Sequence, residues 1–88
     1  MDIPAETIVP VVVGADGLIV TISTTNRLNV NYMFAASEAD AVARRDAGEY
    51  HTLRHTDTEI TWQMAAGETL FAESSIRSRP TDITVEVI

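Results

Sequence analysis

Apolar and polar residues alternate with a period of two along much of the chain. Glu59-Ile60-Thr61-Trp62-Gln63-Met64 alternates, Ala65-Ala66-Gly67-Glu68 interrupts, and Thr69 to Ser74 resumes an extended pattern. Asp82-Ile83-Thr84-Val85-Glu86-Val87-Ile88 then alternates to the last residue, which predicts a closing strand with no tail expected beyond it. A period of two belongs to a sheet with one buried face and one wet face.

The first half carries the same signal. Ile8 to Val13 is β-branched and reads as a strand, with Pro10 inside it. Proline cannot donate to a ladder, so this strand is expected at a sheet edge or at a bulge. Gly14-Ala15-Asp16-Gly17 reads as a turn, and Leu18 to Thr24 as a strand with Leu18, Val20 and Ile22 on one face. Two such runs around a Gly/Asp turn predict a hairpin. After a turn at Thr25-Asn26-Arg27, Leu28 to Phe34 alternates, placing Leu28, Val30, Tyr32 and Phe34 together and Asn29 and Asn31 opposite.

Residues 35–48 break the rhythm. Ser37 suits an N-cap, Glu38 and Asp40 a first turn, Arg44 and Arg45 a last turn, and Gly48 a stop. The spacing predicts one short helix inside a long connection, with Asp40 and Arg44 one turn apart. Glu49 to His55 reads as a strand around Tyr50 and Leu53, and Thr56-Asp57-Thr58 as a turn. Arg77-Ser78-Arg79-Pro80 links the last two strands. About seven short strands with regular turn signals predict an all-β fold. The expected architecture is a small antiparallel β-sandwich or jelly-roll-like barrel with one short helix. Residues 1–7 are expected as an extended arm and residues 8–88 as one sandwich domain.

Composition adds two constraints. A chain of 88 residues without cysteine has a thin core and no disulfide to staple it, which predicts burial against another copy or a partner. The net charge of −7 argues against nucleic acid and anionic membrane surfaces and suits a basic partner surface. All six basic residues are arginine, which suits interfaces, although genome base composition explains the same bias. Met1 to Glu6 has neither a basic region nor an apolar run, so no signal peptide is expected.

Candidate chemistry is sparse. His51 and His55 would be metal partners on a helix, but on a strand they lie about 13 Å apart, too far for one ion. Ser74 and Ser75 lack a nucleophile signature, and Gly14-x-x-Gly17 lacks the helix and lysine of a phosphate loop. No pair of acids stands out for sugar hydrolysis, so no catalytic, cofactor or metal residue is assigned and no enzyme is expected. Trp62 lies between Ile60 and Met64 on the alternating face, which favours the core over a sugar platform or interface anchor. If Leu70 points inward, Phe71 is exposed and marks a partner contact, unless the strand is buried on both faces.

The span from Tyr32 to Ile88 has a further rhythm. Tyr32-Met33-Phe34-Ala35-Ala36-Ser37 is followed by an alanine-rich link, then Gly48-Glu49-Tyr50-His51-Thr52-Leu53 and Ile60-Thr61-Trp62. The turn Ala65-Ala66-Gly67-Glu68-Thr69-Leu70-Phe71-Ala72 and the closing Ile83-Thr84-Val85-Glu86-Val87 complete it. This resembles the small β-sandwich decoration, or cement, proteins of tailed-bacteriophage virions and related head and tail-fibre modules. The resemblance covers about two thirds of the chain and transfers no functional residue. It implies a structural protein on the capsid surface, homotrimeric, whose partner is the major capsid protein. An interface is expected from the arm and exposed loops, at Ile3, Pro4, Ile8, Pro10, Tyr50 and Phe71. The other expectation is a tail or fibre module that recognises a carbohydrate or a neighbouring tail protein.

Overall fold

A computed structural model describes residues 1–14, 17–24, 28–54, 56, 59–76 and 78–88. Its elements in chain order are β1 (Asp2–Ile3), β2 (Val9–Val13), β3 (Leu18–Thr24), β4 (Val30–Ala35), α1 (Glu38–Asp46), β5 (His51–Leu53), β6 (Ile60–Met64), β7 (Thr69–Ser74) and β8 (Thr81–Val87). The strands form two four-stranded antiparallel sheets, with orders β1-β8-β3-β6 and β2-β7-β4-β5. Strand 1 pairs with 8, 2 with 7, 3 with 6 and 4 with 5, as if one long hairpin had been rolled into two layers. This is a jelly roll.

Alternation places the core between the layers. Ile3, Val20, Ile22, Val30, Tyr32, Leu53, Met64, Leu70, Ala72 and Ile83 are buried there. A second cluster lies on the outer side of the β2-β7-β4-β5 sheet. There α1 covers Met33 and Ala35 of β4 and Phe71 of β7 with Ala41, beside Ile8. β4 and β7 are therefore buried on both faces, which is why Leu70 and Phe71 are both inaccessible although they point opposite ways.

Local chemistry fixes α1. Ser37 Oγ accepts from Asp40 N at 3.2 Å, and Asp40 in turn accepts from Ala36 N and from Arg44 Nε. At the other end Gly48 N donates to Arg45 O and Glu49 N to Arg44 O, with Gly48 at φ 76°. This paired exit needs a left-handed residue, which glycine supplies without a Cβ penalty. Alanine gives the helix little apolar area, so its anchor is polar: Arg45 Nη1 donates to the buried Glu73 Oε2 at 2.7 Å.

Several sequence expectations are met and others corrected. Pro10 sits in an edge strand that also carries an irregularity between Pro10 and Val12. The predicted hairpin between β2 and β3 does not form; the two strands lie in different sheets. Gly14 and Gly17 instead bond to the β6–β7 segment, Gly14 N donating to Glu68 O and Gly17 N to Met64 O. Gly14 is required there, because a Cβ would lie 2.6 Å from Glu68 O and 2.7 Å from Ala65 O. Residues 2–3 are not a free arm. They form β1, pairing Asp2 with Asp82 and Ile3 with Thr81 of β8. The chain then turns at Ala5–Glu6, Glu6 adopting φ 58°, to reach the other sheet. Ala15, Asp16, Thr25-Asn26-Arg27, His55, Asp57, Thr58 and Arg77, which carry several predicted turns, lie outside the described residues.

Candidate interaction surface

The residues expected at an interface divide into two sets. Ile3 is 0 % exposed and Phe71 4 %, and Ile8 is also buried, so these three serve the chain's own cores and are not available as contact surface. For Ile3 the cause is strand pairing with β8; for Phe71 and Ile8 it is the cover given by α1. Pro4, Pro10 and Tyr50 are exposed.

Trp62 is not a core residue. It points to the inner side of β6 beside Val20, but β6 is an edge strand and the indole is 40 % exposed. One face of the ring is covered by Phe34 of the opposite sheet, stacked at 4.8 Å between centroids and 23° between planes. His51 lies 6.1 Å from Trp62 and stacks on Tyr32 at 5.3 Å, while Tyr32 meets Phe34 edge-on at 6.2 Å. The four rings close the flank where β5 and β6 form the free edges of the two layers. Alternation put Trp62 on the right face; what it lacked was the strand order that leaves this face uncovered.

Three further large apolar residues are exposed individually. Val87 pairs with Val20 and is 58 % exposed, and Ile88, 75 % exposed, donates its N–H to Ile19 O at 2.9 Å. Val13 at the end of β2 is 76 % exposed. β1 reaches only Thr81 and Asp82 of β8, so among the described residues no strand accompanies the outer edge of residues 84–88.

Polar chemistry is scattered. A recess of about 340 Å³ is lined by Asp2, Pro80, Thr81 and Asp82. Among the described residues no group of three or more histidines and acids is placed to hold a metal ion. The His51–His55 spacing lies outside the described residues through His55. Ser74 Oγ donates to Ile76 O, a turn contact of strand β7 rather than a nucleophile's partner. Asp40 is held below the usual carboxylate range by its hydrogen bond from Arg44 and then by that from Ala36 N, a helix-cap role. Among the described residues no helix is long and apolar enough to cross a membrane.

Comparison with known proteins returns nothing: no protein-family model, curated protein or solved structure matches this chain.

Proposed function

We propose that this chain is a structural contact protein, a decoration protein that binds the outer surface of a phage head and reinforces it. The observation that carries the reading is the exposure of Val13, Val87 and Ile88 on a two-layer domain. Such side chains are available to a partner surface, which would gain by covering them. The jelly roll is compatible, since it also builds virion shells and lectins, but a fold alone does not assign a role. The acidic balance suits docking on a basic shell, with many weak copies acting together. The test is co-sedimentation of the purified protein with expanded phage heads, followed by heating. Binding that raises head resistance, and its loss in Val13→Asp or Ile88→Asp, is the expected result. Heads that neither bind the protein nor gain resistance would overturn the reading.

A tail or fibre module that recognises a carbohydrate is the second reading. The half-exposed Trp62 ring, backed by Phe34, favours it, because a supported indole face suits a sugar ring. Glycan-array binding that disappears in Trp62→Ala would select it.

A further inference from the structure

The edges of the two sheets are guarded unequally. In the β2-β7-β4-β5 sheet, β2 carries Pro10 and an irregular register, and β5 has only three residues. Both are devices that discourage further pairing. In the other sheet, β6 is five residues long, in continuous register with β3, and contains neither proline nor charge. Thr61, Trp62 and Gln63 are all exposed.

The direction of its backbone groups follows from the ladder. Ile88 N donates to Ile19 O, so Ile19, Thr21 and Ser23 direct their main-chain groups to β8. Leu18, Val20 and Ile22 then direct theirs to Met64, Trp62 and Ile60, and Gly17 N reaching Met64 O agrees. By the same alternation Thr61 and Gln63 present their N–H and C=O groups outward, away from β3.

From this geometry we propose that β6 is a self-pairing edge: two copies of the chain join antiparallel about a two-fold axis at Trp62. In that register Thr61 faces Gln63 of the second copy and Gln63 faces Thr61. Both are hydrogen-bonded pairs made from the outward groups. Trp62 meets Trp62 as the close, non-hydrogen-bonded pair, where side chains approach most nearly. Ile60 faces Met64, and no charge opposes another. The occupant is a second copy because the strand is complementary to itself. The other long edge is not. On β8 the outward groups belong to Val85 and Val87, as Ile83 N donating to Met1 O indicates. Pairing Val85 with Val87 of a second copy sets Glu86 against Glu86, a like-charge contact in an already acidic protein, and a two-fold axis at Val85 would call on the main-chain groups of Ile83, which Met1 holds.

The inference stands apart from the capsid reading, and it replaces the expected three-fold association by a two-fold one. Sedimentation equilibrium should give a dimer. Trp62 is the only tryptophan, so its emission should shift to the blue as concentration rises from about 1 μM to about 1 mM. Gln63→Pro removes an N–H that points to solvent in one copy, so the fold should persist by circular dichroism. Association should weaken about thirtyfold or more. Gln63→Lys serves as a second edge block if the proline variant does not fold. A trimer, or a monomer throughout that range, overturns the proposal. So does a folded Gln63 variant that dimerises like the parent, or a monomer whose Trp62 emission responds to glycans instead of concentration.

Discussion

Arg45 on α1 and Glu73 on β7 form an ion pair 2.7 Å long, with the Glu73 side chain almost fully buried. This contact adds a polar tie to the small apolar cluster by which Ala41 packs the helix on the outside of the sheet. Arg45 also holds Asp46 at 3.1 Å. Truncation to Arg45→Ala takes the charged partner from a buried carboxylate and should destabilise the fold by about 3 kcal/mol in urea denaturation. Replacing both partners, Arg45→Met with Glu73→Leu, should recover most of that loss. Equal losses in the single and double variants would mean that the pair does not anchor the helix.

Acid should loosen the start of α1. The Asp40 pKa is lowered in the fold from its ordinary 3.8, first by Arg44 and then by Ala36 N. A lowered carboxylate contributes stability above its unfolded value and loses it as pH falls through the folded one. Hydrogen exchange of Ala41 N, which donates to Ser37 O, should therefore be better protected at pH 5 than near pH 2 after correction for intrinsic rates. Asp40→Asn should abolish that difference.

Two glycines should respond differently to alanine. Gly14→Ala drives a Cβ into the carbonyl oxygens of Glu68 and Ala65, both backbone atoms, and should cost about 3 kcal/mol or prevent folding. Gly48→Ala meets nothing within 4 Å and pays only for its left-handed backbone, about 1 kcal/mol. Thermal melts of the pair provide the comparison, and similar midpoints would refute the close approach at residue 14.

Ile3→Ala should cost about 3 kcal/mol, the ordinary loss for emptying a buried isoleucine site. A free arm would tolerate the same change without effect on a denaturation curve, so this substitution distinguishes a strand from an appendage.

Much of this fold can be read from the chain. β3 and β7 fall on the alternating runs as bounded, and α1 lies between its cap Ser37 and Gly48. Pro10 marks an edge because its chemistry is local. What escapes is what depends on distant residues. Asp2–Ile3 is too short to show any period, and only β8 makes it a strand. Phe71 could be exposed or lie in a strand buried on both faces, and only α1, laid over it, makes it the second. Trp62 looks buried because periodicity gives the face of a side chain, whereas its cover depends on how many strands lie beyond. The β2–β3 hairpin fails for the same reason: a turn signal says that the chain reverses, not which layer it enters next.

The rolled pairing has a kinetic consequence. β4 and β5, joined through α1, close the smallest loop, and each further pair encloses the one before it, out to Met1 bonded with Ile83 across 82 positions. Such distant pairings place the chain among slow folders, in the millisecond-to-second range. Assembly is expected to begin at the helix-bearing middle, and the outermost pair, where Ile3 enters the core, is the last to lock and the first to open.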